Sequence, residues 1–149
     1  MNKEKIVLSV NPIGHDTSAA ILVGNDIVAA CEQERYSKDK HSRLFPIDAI
    51  NDCLKIAGTS INQVDLIVVP WQPKLMIREF YLRTALESDK RLDFLRTDLN
   101  RVQELFELEE TIRNNLSFTG KLEFVNHHLC HLSSTYYSSG FKNALVVSY

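Results

Sequence analysis

The stretch IVLSVNPIGHDTSAAILVGNDIVAAC, residues 6–31, decides how this chain folds. Residues 6–10 form a short apolar run rich in β-branched side chains and stopped by Asn11-Pro12, which predicts a buried strand. Residues 19–23 and 27–31 are two further apolar runs on either side of Gly24-Asn25-Asp26. Gly and Asn accept the positive φ that hairpin turns need, so the two runs predict a hairpin that continues the sheet begun by the first. The loop over residues 11–18 reads Asn-Pro-Ile-Gly-His-Asp-Thr-Ser, with His15 and Asp16 at its tip. Such a loop can aim backbone N–H groups at an anion, although it lacks the Gly-Lys-Ser/Thr of a P-loop. A histidine there can act as a general base near neutral pH; a solvated surface histidine is the plainer alternative.

Residues 32–35 read as an extension of the third strand. The polar stretch 37–43 follows, with Lys38, Lys40, His41 and Arg43 against one acid, Asp39. It is either a solvated loop or a set of donors for a phosphate or carboxylate. Pro46 opens a helix and Gly58 closes it, with Ile47, Ile50, Leu54 and Ala57 along one face. Residues 65–69 predict a further buried strand, stopped by Pro70. Residues 74–116 contain no Gly or Pro and carry Leu95, Leu99, Val102, Phe106 and Ile112 near helical period, which predicts an inserted helical hairpin with a cap at Ser88 or Asp89. Residues 121–125 return to strand, 127–137 to helix and 143–148 to a last apolar strand. The fold class is α/β, with helices packed on a mixed sheet.

Residues 126–131 read Asn-His-His-Leu-Cys-His. His127 and His131 stand one helical turn apart, about 5–6 Å at Cβ. Two imidazoles so placed can share a divalent ion, and imidazole suits Zn, Fe, Cu and Ni alike. A polar helix face is the commoner meaning of such a pair. A metal also needs a third or fourth donor, which nothing adjacent supplies.

With 149 residues, 44% of them hydrophobic and 24% charged, the chain is one domain or part of one. A net charge of −2 gives no reason to expect a nucleic-acid or membrane partner. Cys31, Cys53 and Cys130 form no C-x-x-C and no even set, so neither a disulfide framework nor a zinc ribbon is expected. No signal peptide or membrane span is evident, and the expected compartment is the cytoplasm. An apolar strand at the end of the sequence suggests a fragment, or a sheet that another polypeptide completes; its edge could also pair copies of the chain into a homo-oligomer.

Three blocks carry a resemblance. They are Gly14-His15-Asp16-Thr17-Ser18-Ala19-Ala20; Glu32-Gln33-Glu34-Arg35-Tyr36 with Lys40-His41 and Phe45-Pro46; and Asn126-His127-His128-Leu129-Cys130-His131. In this order the sequence resembles the N-terminal region of the ATP-dependent O-carbamoyltransferases of nodulation-factor and antibiotic biosynthesis. That family is similar to the ATPases that form threonylcarbamoyladenosine in tRNA. The resemblance runs over residues 6–148 and implies half of an actin-like ATPase, ribonuclease-H-like in topology, with the helical insertion at about 74–116. It further implies transfer of a carbamoyl group from carbamoyl phosphate and ATP, through carbamoyl-adenylate, to an acceptor hydroxyl of a small molecule. His127 and His131 match the family's metal histidines, for an iron-like divalent ion. His15 matches its loop histidine, which with Asp16 makes the candidate catalytic pair. Ser18, Lys40 and Arg43 are the candidate nucleotide and substrate contacts. The family's Asp-Gly, whose Asp is a further metal ligand, would follow the strand expected at 144–148. The sequence ends before it, so the expectation is an incomplete site with weak or no metal affinity in isolation, inactive by itself. Two other readings stand beside this one: a threonylcarbamoyl-transfer relative acting on tRNA, and a non-catalytic domain that binds a partner by strand addition.

Overall fold

The structure, a computed structural model, describes residues 4–148. The first residues of the charged start, 1–3, and residue 149 lie outside the described residues. The chain forms two compact units, one of residues 1–71 and 120–149, the other of residues 72–119.

The first unit holds a five-stranded sheet: β1 (Ile6–Asn11), β2 (Ser18–Val23), β3 (Asp26–Glu32), β4 (Leu66–Val69) and β5 (Lys121–Phe124). Their spatial order is β3-β2-β1-β4-β5. β1 to β3 are antiparallel neighbours, whereas β4 runs parallel to β1 and β5 parallel to β4. This is the ribonuclease-H-like arrangement that the resemblance implies. Leu8, Val10, Ile21, Ile67 and Val69 are fully buried and form the centre of the sheet's core. Helix Ile47–Ile56 packs on β2 and β3 and buries Ala49, Ile50, Cys53 and Leu54. Gly58 follows this helix at φ 62°, the left-handed stop that its position predicts.

Three expectations change. β3 ends at Glu32, and residues 34–37 turn into a short helix (Glu34–Ser37) instead of prolonging the strand. The cause is Gln33, which has helical backbone angles and a side chain that is only 2% exposed. Its Nε2 donates to Asp48 Oδ2 at 2.7 Å, and its Oε1 accepts from the Ala49 N–H at 3.3 Å. The side chain thereby satisfies an otherwise unpaired donor in the first turn of helix Ile47–Ile56. A buried amide with two such partners decides the backbone more strongly than the alternating charges around it.

The strand expected at 143–148 does not form. Leu145 is 91% and Val147 69% exposed. A short apolar run makes a strand only where a sheet edge and a covering layer receive it, and here this segment has neither. Its anchors are polar: the Tyr136 hydroxyl donates to the Lys142 carbonyl at 3.0 Å, and His128 Nδ1 lies 2.7 Å from Ser148 Oγ.

The second unit is not a simple hairpin. It runs as a helical stretch from Pro73 to Ala85 with a π-helical middle (Ile77–Leu82), then helices Asp89–Thr97, Leu99–Phe106 and Leu108–Leu116. Ser88 caps the helix after it by accepting from the Arg91 N–H. Within this unit Leu105, Leu108 and Ile112 are buried.

Candidate functional site

The parallel arrangement of β1, β4 and β5 brings three C-terminal strand ends to one edge, the usual place for a ligand crevice in an open α/β sheet. Asn11 ends β1, Pro70 and Trp71 follow β4, and Asn126 and His127 follow β5. Ser18, the first residue of β2, arrives at the same edge because it is in register with Asn11. A cavity of about 700 Å³ opens there, walled in part by Asn11, Ser18, Glu32, Pro70, His127 and His131.

Asn126 caps helix His127–Ser138: its side chain accepts from the Leu129 N–H at 3.0 Å. The cap fixes where the helix starts, and the four-residue spacing puts His127 and His131 on one side of it. Their Nε2 atoms are 3.0 Å apart. His127 Nδ1 is 3.1 Å from the Pro70 carbonyl oxygen. A carbonyl only accepts, so His127 carries its proton on Nδ1, and His131 Nε2–H donates to the bare His127 Nε2. The indole of Trp71 stacks on the His127 ring at 4.0 Å and 12°. The ring is thus fixed by a carbonyl on one side and an aromatic face on the other, the outer support that metal-binding histidines commonly have. Two nitrogens about 2.0–2.1 Å from one ion stand roughly 3 Å apart at a right angle, so the pair's spacing fits a shared cation. Cys130, also in the cavity wall, is a poor third donor because burial raises its thiol pKa.

The loop before β2 makes a second cluster. The Asp16 carboxylate lies 2.5 Å from His15 Nδ1 through one oxygen and 2.8 Å from His41 Nδ1 through the other. Hydrogen bonds from His15 first, then His41, hold the Asp16 pKa below its ordinary value of 3.8, while Asp16 raises that of His41 above 6.5. The stabilisation from Asp16 is present above 3.8 and lost as pH falls through its lowered folded value. That from His41 is complete below 6.5 and lost as pH rises through its raised one. The tether between residues 16 and 41 is therefore expected to be strongest between about pH 4 and 6.5. Amide exchange at residues 38–43 should be slowest in that window after correction for the intrinsic rate. A profile with no minimum there would show that the pair does not order the segment.

His15 is not part of the cavity wall, although Asn11 and Ser18, which bracket its loop, are. Asn11 links the two clusters. Its Nδ2 donates to the Asp16 carbonyl at 3.2 Å, and its Oδ1 accepts from Trp71 Nε1 at 2.7 Å. Trp71 in turn carries His127. Lys40 and Arg43 are exposed and lie outside the cavity wall. His128 Nδ1 lies 2.7 Å from Ser148 Oγ. Asn11, Trp71 and the His41–Asp16 contact are what sequence reasoning overlooks. The available signal for Trp71 was a lone tryptophan next to Pro70, just past the end of a parallel strand.

A ribonuclease-H-like sheet with histidines gathered at its carboxyl edge defines the class. The Carbamoyltransferase N-terminus family model matches residues 7–148, and the chain belongs to that family. It is 32% identical over 151 residues to an uncharacterised Synechocystis protein, sll1178, covering 95% of this chain and 24% of that one. It is 26% identical over 145 residues to the nodulation protein NolNO of Sinorhizobium fredii, covering 93% of this chain and 20% of that one. The chain thus spans about a quarter or less of these relatives. Among solved structures, YeaZ from Pseudomonas aeruginosa is similar at a TM-score of 0.46 and 17% identity, over 91% of this chain and 49% of that one. Among the described residues no helix is long and apolar enough to cross a membrane.

Proposed function

We propose that the chain is the N-terminal part of an ATP-dependent carbamoyltransferase, in which a carbamoyl group from carbamoyl phosphate, activated as carbamoyl-adenylate, passes to an acceptor hydroxyl. Family membership supports the reaction class. The observation that carries the assignment of a site is the 3.0 Å Nε2–Nε2 approach of His127 and His131 in a cavity wall at the strand ends. These two residues would hold a divalent, iron-like metal, with Pro70 and Trp71 orienting His127. When bound, the metal supplies Lewis-acid stabilisation of charge on phosphate or carbamoyl oxygens. His15, with Nδ1–H directed to Asp16, keeps Nε2 free to take the acceptor hydroxyl's proton. Ser18 lies in the cavity wall and can donate to substrate; Lys40 and Arg43, on an exposed segment, would have to reach in to a phosphate.

The test is a chimera in which this chain replaces the matching quarter of the Synechocystis relative. The chimera should turn over ATP and carbamoyl phosphate only when a hydroxyl acceptor is present, and the 149-residue chain alone should not. A chimera that folds yet binds neither nucleotide nor carbamoyl phosphate would defeat the proposal. So would acceptor-dependent turnover by the isolated chain, because it would make the remaining portion unnecessary. Small polyols set against tRNA as acceptors separate this reading from threonylcarbamoyl transfer.

A further inference from the structure

His41 belongs to no assigned site, yet it occupies one oxygen of the carboxylate whose other oxygen meets His15. An ionised carboxylate only accepts, so both Nδ1 atoms must carry protons, and in a neutral His15 the bare nitrogen is then Nε2. Asp16 can hold that geometry only while its carboxyl plane is fixed. The His15 contact alone leaves the carboxylate free to turn about its last bond; a second donor on the other oxygen prevents this.

His41 is placed to be that donor by contacts independent of the carboxylate. Thr17, fully buried, donates its backbone N–H to the Ser42 carbonyl at 3.3 Å and its hydroxyl to the Leu44 carbonyl at 2.7 Å. The neighbours of Asp16 and of His41 are therefore pinned together. The His41 backbone N–H donates to Glu34 Oε2 at 3.1 Å. Asp16 and His41 both adopt left-handed backbone, at φ 61° and 59°, a conformation uncommon outside glycine.

We propose that His41 is a positioning residue: through the Asp16 carboxylate it holds His15 in the Nδ1–H tautomer that leaves Nε2 open as a proton acceptor. The logic is that of a carboxylate orienting a histidine base, with a second histidine orienting the carboxylate. The charged or titratable groups around His41 are Asp16 and His15 from the loop before β2, Glu34 from the short helix, and Lys40 and Arg43 on its own segment. The inference rests on the assignment of His15 as the proton acceptor for its meaning, but not for its test.

The test reads tautomers in the uniformly ¹⁵N-labelled 149-residue chain by long-range ¹H–¹⁵N correlation of the imidazoles, at a pH where His15 is neutral. His41→Gly removes the ring and suits the positive φ. His41→Asn keeps an N–H donor near the Nδ1 position and tolerates the same backbone. In the unaltered chain His15 should be mainly the Nδ1–H form. Asp16→Asn should shift the tautomer ratio roughly tenfold toward Nε2–H, the scale of one charge-assisted hydrogen bond. His41→Gly should move it the same way by at least about threefold, and His41→Asn should restore it. An unchanged His15 tautomer in His41→Gly, with the backbone amide spectrum retained, overturns the proposal. Failure of His41→Asn to restore a ratio that His41→Gly has lost does so too. So does joint loss of both Nδ1–H signals on adding stoichiometric Zn²⁺, since the rings would then be metal ligands. A chimera without carbamoyl transfer would remove the proposed reaction while leaving a measured His41–His15 coupling intact.

Discussion

His131→Ala is expected to weaken divalent-ion binding by at least about 100-fold in the chimera with the Synechocystis relative, which completes the chain, because loss of a mere outer-shell partner already costs about 10–100-fold. The reason is geometric: the 3.0 Å spacing of the two Nε2 atoms is the spacing two imidazoles need to share one ion, and one imidazole alone would have no chelating partner. His127→Ala should do the same. Trp71→Ala, which removes the stacked face but no ligand, should cost roughly tenfold. His128→Ala should leave affinity nearly unchanged, since that ring bonds Ser148 and meets His127 only edge-on, with centroids 6.2 Å apart. Titration with Ni²⁺ or Co²⁺, followed by calorimetry or by the cobalt absorption, reads all four. Equal affinity in His131→Ala and the unaltered chimera would move the ion away from the helix, with His15, Asp16 and His41 the first place to look, since their ligand atoms lie within 4.8 Å of one another.

Ile67→Ala should lower unfolding free energy by about 2–5 kcal/mol. Ile67 is fully buried in β4, in register with Leu8 on one side and Leu122 on the other. A cavity there lies at the junction of two parallel pairings, between strands that cannot close up without breaking their ladders. Against a typical total of about 5–15 kcal/mol, this is a large share. The denaturant midpoint should fall with the slope unchanged. A loss under about 0.5 kcal/mol, as at an ordinary surface position, would mean that β4 is not the packed centre of the sheet.

The first three strands were legible because their apolar runs are short, β-branched and separated by turn residues, signals that act within a few residues. Helix Ile47–Ile56 was legible from Pro46 and Gly58, and helix His127–Ser138 was expected over 127–137, although its asparagine cap was not read. Residues 143–148 misled because a short apolar run states what a segment could pair with, and not whether an edge is there to receive it. Gln33 misled because its buried amide serves a helix that begins more than ten residues later. The candidate residues were readable as types: histidine near a loop tip, histidines one turn apart. Their grouping was not.

From the linear order of residues come the α/β class, the strand and helix candidates, and the phase that puts His127 and His131 on one helical face. Local rules of backbone and periodicity suffice for those. The tertiary structure alone decides that His41 shares a carboxylate with His15, that Asn11 and Trp71 join the loop to the histidine pair, and that the pair stands in a cavity wall while His15 does not. Those contacts span many residues of chain, and they arise from parallel pairing of β1 with β4 and of β4 with β5, whose register depends on the packing of the whole sheet.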